Sequence, residues 1–355
     1  MSRDNIQWED PLIVSKGGIS AAEEEKIVQE WSEKGFALVD GILSDDLIDT
    51  ASRELMNAVD VDPSLKAKKD FGGIIFPFAH GSALNTITIH ETLIHIVSKL
   101  LKTDDIRLTQ ADAWAKFHNV STALKFDNSD QRMHIDGWNH MLVAPPAWDS
   151  PASVAMILYL SDSSDTGGET ALVPREGARD VAYELDSFLK TPGAADFPWI
   201  NDKTHAESYF QEHYPEIHSF RQCLYARERH ARFHKGSLLL YRHDLWHRGT
   251  PVTVPNSVRL TVNFSFRRRD AEWFQNWNTW AREMYHPDQR LEKLVGGASV
   301  KQRTLLGFPL PGDNYWTEET LRCVSKRYEK FGFDPEPYLS GVSERDNRKA
   351  KSTLE

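Results

Sequence analysis

The sequence predicts a mainly β protein braced by helices at both ends. The apolar period changes from helical to alternating near Arg107. Leu260, Val262, Phe264 and Phe266 alternate strictly with Arg259, Thr261, Asn263 and Ser265, giving the one apolar and one polar face of a half-buried strand. His134-Ile135-Asp136 has the spacing at which an imidazole and a carboxylate leave a strand on the same side.

Taken in order, residues 1–18 read as a flexible arm. Ser20 and Glu23 form the pattern of a capping box, Ile27, Val28 and Trp31 follow at helical spacing, and Gly35 ends the helix. Phe36 to Val39 is a short strand and Gly41 a turn. A second helix follows Ser44, with Leu47, Ile48, Ala51 and Leu55 on one face. A third, from about Glu91 to Leu101, buries Leu93, Val97 and Leu100. These helices are expected to brace the outside of a sheet.

The β core is expected over about residues 107–268. Arg107 to Phe117 suits strands, Asn119 to Arg132 a polar loop, and Met133 to Met141 a further strand. Val154 to Leu160 is a continuous apolar run, typical of a buried strand. Gly167-Gly168 is a turn, and Ala171 to Val173 and Ser237 to Tyr241 are strands. Residues 177–232 have weak periodicity and read as an insertion forming a lid. A helical extension spans 270–342, where Trp273, Trp277 and Trp280 make a packing stripe. Its last helix opens on Glu318-Glu319 and closes on Lys326, Arg327 and Lys330, matching the helix dipole. Residues 343–355 are charged, lack apolar anchors and read as a disordered tail, leaving a single domain over 19–342.

Composition narrows the function. The 42 basic and 52 acidic residues give a net charge of −10, which argues against nucleic acid as an electrostatic partner. Arg267-Arg268-Arg269 reads as a solvated strand end. Cys223 and Cys323 give no disulfide framework and suit a reducing compartment. The first residues lack the apolar region of a secretory signal, and no apolar run approaches the roughly 18 residues of a membrane span. A cytoplasmic protein acting on a small molecule, with no membrane partner, is the expectation; the oligomeric state is not legible.

Two imidazoles and one carboxylate make the facial ligand set of an iron(II) site with open positions. His134 and Asp136 supply two ligands, and a distant strand must supply the third. His247 and His243 both qualify by type. Their i, i+4 spacing would suit a metal pair on a helix, but Gly249 and Pro251 deny a helix there.

An ordered series of motifs covers roughly residues 30–268: Glu33-Lys34-Gly35-Phe36, Gln110, His134-Ile135-Asp136, Leu158 to Asp162, Gly167-Gly168, Val173-Pro174, His247 to Pro251, Asn256-Ser257 and Arg259. This series resembles the phytanoyl-CoA dioxygenase family of iron(II)/2-oxoglutarate oxygenases. The resemblance implies a double-stranded β-helix, a jelly-roll or cupin-like barrel. It implies Fe(2+) held by His134, Asp136 and His247, with 2-oxoglutarate as co-substrate and O2 as oxidant, and it leaves His243 as a loop or supporting residue. It places Arg259 against the distal carboxylate of 2-oxoglutarate, a role that suits a planar guanidinium on a polar strand face. Thr261 and Asn263 share that face, and Gln110 and Lys116 are further candidates for co-substrate contact. Trp138, Asn139 and His140, just past the metal strand, are candidates for substrate contact or for structure; His80 has no assigned role. The chain departs from the family where Pro174 is followed by Arg175-Glu176-Gly177 and where the segment between Asp136 and His247 is long, both at the expected substrate entrance.

The expected activity is hydroxylation of an unactivated C–H bond of a small organic molecule, with release of succinate and CO2. Asp136 speaks against halogenation, because halogenating relatives carry a small residue there. The alternatives are a non-catalytic barrel that binds metal or ligand, disfavoured by the intact His134, Asp136, His247 and Arg259, and a zinc-dependent hydrolase, which would not require Arg259.

Overall fold

The computed structural model describes residues 6–15, 18–61, 73–79, 81–118, 130–136, 147–177, 179–184, 199–271 and 289–339. Its strands are β1 (Gln7–Glu9), β2 (Leu12–Ile13), β3 (Phe36–Asp40), β4 (Ile74–Ile75), β5 (Ile106–Phe117), β6 (Ser153–Tyr159), β7 (Thr170–Leu172), β8 (Arg229–Ala231), β9 (Leu238–Tyr241), β10 (His247–Gly249) and β11 (Val258–Arg268). Its helices are α1 (Ala21–Lys34), α2 (Asp45–Val61), α3 (Ser82–Thr88), α4 (Glu91–Leu101), α5 (Ser163–Thr166), α6 (Lys203–His213), α7 (Pro215–Arg227), α8 (Arg290–Gly297), α9 (Val300–Leu306) and α10 (Glu318–Tyr328).

Two sheets result. The larger runs β2-β3-β9-β6-β11-β5-β4 and the smaller β1-β8-β7-β10. Among the described residues no strand belongs to both, so the β core is a pair of sheets with flanking helices. The alternation of β11 sorts the two sides of the larger sheet. Leu260, Val262, Phe264 and Phe266 join Ile27 and Trp31 of α1, Leu55 of α2 and Val97 of α4 in one buried cluster. The opposite face contributes Phe36, Leu38, Ala155, Tyr159, Leu239 and Tyr241 to a second cluster. That cluster also holds Met133, Ile135 and Leu172 from the side of the smaller sheet, and Trp316, Val324 and Tyr328 from the C-terminal helices. The helices brace the outer face as expected, and the inner face is left to the site.

Antiparallel register carries the inner face across strands. Opposite Arg259, Thr261, Asn263 and Ser265 on β11 stand Lys116, Trp114, Asp112 and Gln110 on β5. On the other side of β11, Thr261 pairs with Tyr159, Asn263 with Ile157 and Ser265 with Ala155. Directly opposed residues share a face, so a polar stripe crosses an otherwise apolar surface.

Local signals match the elements they predicted. The capping box at Ser20 and Glu23 is formed, and Gly35 closes α1 in the left-handed region at φ 87°. A side chain there would also meet Leu245 Cδ1 at 2.8 Å, so glycine is required twice over. Glu318 and Glu319 open α10, and Lys326 and Arg327 lie in its last turn. Arg268 pairs with Asp270 and Arg269 with Asp105, in keeping with a solvated strand end. Cys223 and Cys323 are both free. No described helix is long and apolar enough to cross a membrane.

One expectation is corrected, and one stretch gains definition. Within the stretch read as a flexible arm, β1 pairs in parallel with β8, and β2 with β3. Glu9, buried between Lys34 and Arg229, fastens it electrostatically, and Val14 with Leu12 anchors it on the apolar core. The insertion at 177–232 contains a 3-10 turn, α6, α7 and β8. Its helices carry little apolar periodicity because Glu207 and Arg221 occupy buried positions. Residues 185–198, the 273/277/280 tryptophan stripe and the tail from 343 lie outside the described residues.

Candidate metal centre

The metal segment runs beside β10. His134 and His247 face each other as an antiparallel bridge, each N–H donating to the other's carbonyl at 3.0 and 2.9 Å. That pairing brings the two rings to 4.4 Å between centroids. Asp136 follows on the same side, its Oδ1 3.6 Å from His134 Nε2 and its Oδ2 3.3 Å from His247 Nε2. One donor atom from each of the three lies within 4.8 Å of the others. Each imidazole donates its Nδ1–H to a backbone carbonyl two residues earlier, Arg132 at 3.0 Å and Leu245 at 2.9 Å. Both Nε2 lone pairs are thereby turned toward Asp136, as metal ligation requires.

The electrostatics fit a cation. Burial and the neighbouring His247 hold His134 down at about 3, so it is neutral and ready to ligate. Burial alone would lower His247 too, but Asp136 outweighs it and the net direction is up. Burial would raise Asp136, and the two imidazoles overcome that and hold it ionised. The donor set is two imidazoles and one carboxylate converging from one side, which suits a divalent ion with open positions.

The metal segment is seated by a bulge. Gln131 N–H donates to Gly249 O at 3.0 Å, and the next link is the His134–His247 pair. Two residues, Arg132 and Met133, thus stand against one, Arg248, the count of a β-bulge, a device that re-aims side chains. The outward backbone groups of the bulge are bonded by the insertion. Arg132 N–H donates to Ile200 O at 2.9 Å. Met133 N–H donates to the Tyr225 hydroxyl at 2.9 Å, and Arg221 Nη2 donates to Met133 O at 3.0 Å. Glu207 Oε1 accepts from Arg221 Nε and Nη2 and from Tyr225 Oη, at 2.9, 2.7 and 2.7 Å. Opposite the bulge, Arg248 grips Glu228 through two bonds of 2.8 Å. The described helices of the insertion therefore hold the metal segment along its edge.

The other expected site residues share the inner face of the larger sheet. Arg259 donates to Gly168 O from its Nη1. Gly168 has φ 74°, and a side chain there would lie 3.5 Å from Arg259 Cδ and 3.2 Å from Val252 Cγ2, which accounts for the Gly167-Gly168 motif. Lys116, opposite Arg259, donates to Thr250 O at 3.1 Å. Thr261 is buried. Asn263 hydrogen-bonds Asp112, as does Gln110, whose Nε2 donates to Asp112 Oδ1 at 2.9 Å. His243 stays outside the ligand set, buried between Ser153 Oγ at 2.9 Å and Ser265 Oγ at 3.1 Å, and burial pushes it down to about 4. Trp138, Asn139, His140 and His80 lie outside the described residues.

Sequence reasoning missed Tyr241 and Asp112. Tyr241 donates to Asp136 Oδ2 at 3.4 Å and its ring lies 4.9 Å from that of His247. Asp112 was within reach, because it follows Gln110 by two on one strand and so must share its face. Burial, foremost, pushes the Asp112 carboxyl up to about 6 from 3.8. A raised carboxylate costs nothing below its unfolded value, and the cost grows as pH climbs through the folded one. Fully ionised, that difference is worth about 3 kcal/mol. Asp112→Asn is therefore expected to strengthen the metal-free protein at pH 8 by up to about 3 kcal/mol and by little at pH 4, as read by urea unfolding. An equal gain at both pH values would show that ionisation is not the cause.

No protein-family model matches the sequence, and no curated protein matches it either. Among solved structures, the epimerase SnoN in complex with Fe3+, alpha ketoglutarate and nogalamycin RO aligns at TM-score 0.47 and 13% identity, over 70% of this chain and 84% of its own. The non-heme alpha ketoglutarate dependent carbocyclase SnoK from nogalamycin biosynthesis aligns at 0.47 and 13%, over 71% and 87%. HygX from Streptomyces hygroscopicus, with nickel and 2-oxoglutarate bound, aligns at 0.46 and 14%, over 77% and 94%.

Proposed function

We propose that this chain is an iron(II)/2-oxoglutarate-dependent oxygenase of the double-stranded β-helix fold, hydroxylating a C–H bond of a small organic molecule in the reducing cytoplasm. The observation that carries this reading is the pairing of a three-donor site with a guanidinium on the facing sheet. Arg259 reaches Gly168, two residues before β7, and Leu172 at the end of β7 stands opposite His247. The guanidinium and the donor set thus border the same smaller sheet, one before β7 and the other at its end, an arrangement that suits a keto diacid held by its two ends. A zinc hydrolase would have no use for a cation so placed.

When bound, iron(II) supplies coordination for the keto acid and dioxygen, coupling decarboxylation to oxidation of the substrate. The chain's own groups do the rest. His134, Asp136 and His247 hold the ion on one side, and the carbonyls of Arg132 and Leu245 fix both imidazoles for ligation. Tyr241 steadies Asp136 by donating to Oδ2. Arg259 offers the distal carboxylate a planar fork.

An anaerobic titration with iron(II) and 2-oxoglutarate, followed by the visible charge-transfer band of the chelate, tests the reading. Arg259→Ala is expected to weaken 2-oxoglutarate by about 2–5 kcal/mol and to leave iron affinity unchanged. Equal affinity of wild type and variant for the diacid would end the assignment.

A further inference from the structure

A buried carboxylate faces the metal centre with no cation beside it among the described residues. Asp112 is 6% exposed, and its partners are the amides of Gln110 and Asn263. Other buried acids of this chain are differently served: Glu207 has Arg221, Glu228 has Arg248, Asp180 has Arg227, and Asp244 has Arg242 and Arg175. Buried charge is normally matched by an opposite charge, and here a bound molecule can provide it.

Its place along the sheet separates Asp112 from the co-substrate end. Arg259 is at one end of the β11 inner face, and Asn263, opposite Asp112, is four residues further on. The charge of Asp136 is felt at Asp112, and Tyr241 feels both. His243, bonded to Ser265 at the far end of the stripe, feels Asp136 as well. Asp112 thus lies on the side of the triad away from Arg259, and its neighbour Gln110 is exposed to solvent. With a keto diacid anchored on Arg259, the substrate would approach from that side.

The charges point to one class of substrate. A divalent ion, Asp136, a dianionic co-substrate and Arg259 together are neutral. Asp112 then stands as a single uncompensated negative charge. Gln110 uses its NH2 on Asp112 and so presents its carbonyl, which makes the cluster chiefly an acceptor for an N–H-rich cation.

Resting on the oxygenase reading above, we propose that Asp112, with Gln110 and Asn263, recognises a protonated amino group, so that the substrate is a primary or secondary amine held by its ammonium while a C–H bond faces the metal. A proton on Asp112 is the rival means of neutralising it.

The test uses the anaerobic iron(II)/2-oxoglutarate complex of the full chain, with its charge-transfer band as the starting criterion. Failure to form the band counts against the oxygenase reading and is separate from the ligand comparison. Cyclohexylamine, cyclohexanol and cyclohexanecarboxylate are compared as probes by saturation-transfer NMR. The amine is expected to bind about tenfold or more tighter than the alcohol, with the carboxylate weakest. Asp112→Asn, nearly isosteric, is expected to keep the band and erase the preference. Equal behaviour of amine and alcohol in the wild type, absence of binding included, overturns the proposal, as does a preference that survives in Asp112→Asn.

Discussion

Asp136→Ala is expected to weaken ferrous-ion binding by more than about a hundredfold, since loss of mere supporting groups around a metal already costs ten- to a hundredfold. The carboxylate sits 3.6 and 3.3 Å from the two Nε2 atoms and is the sole anion of the donor set. Without it, two buried imidazoles remain, one of which holds a proton less readily than it would in water. His243→Ala supplies the contrast. His243 is close enough to feel Asp136, yet both of its ring nitrogens face serine hydroxyls. Its removal should change iron affinity by no more than about threefold, within the ordinary scatter of single contacts. Anaerobic titration with iron(II), or with cobalt(II) as a coloured substitute, reads both variants. Retention of wild-type affinity in Asp136→Ala, or its loss in His243→Ala, would reassign the site.

Arg221→Met should destabilise the protein by about 3–5 kcal/mol, the usual consequence of leaving a buried charge without its partner. Arg221 is fully buried and spans Glu207 and the carbonyl of Met133. Its loss takes the guanidinium from the Glu207 carboxylate, leaving Tyr225 and His218 beside it, and removes the donor from the bulge that aims His134. The double variant Arg221→Met with Glu207→Leu should recover much of the stability, because apolar replacement of both partners is often tolerated. Iron affinity should stay depressed in the double variant, by about ten- to a hundredfold, because the Met133 carbonyl is still unserved. Urea unfolding and metal titration give the two readings independently. A double variant with wild-type iron affinity would show that the clamp stabilises the fold without positioning the ligand.

The readable parts of the sequence are those with a long period. Residues 259–266 of β11 alternate, and α1, α2, α4 and α10 carry caps or apolar stripes, so their existence and facing follow from spacing alone. The His134/Asp136 pair is legible for the same reason, since strand parity decides which side chains meet. The third ligand needed the family resemblance, because no local pattern separates His243 from His247. The arm's pairings were invisible: strands of two and three residues have no period, and parallel partners β8 and β3 lie far along the chain or across a helix. The helices inside the insertion were not legible because Arg221 and Glu207 bury charge where the apolar stripe should be.

The bulge under His134 has its outer bonds supplied by residues 88 and 92 positions downstream. The placing of two of the three donors, His134 and Asp136, is therefore a non-local product of folding, complete only when α7 has docked. The amide proton of Met133 becomes a built-in clock: its exchange with deuterium reports how often that helix lets go. Since an ion bound at His134 favours the docked arrangement, loading the centre should slow that exchange in proportion to metal affinity, making the inserted helices and the iron mutual stabilisers across the edge of the smaller sheet.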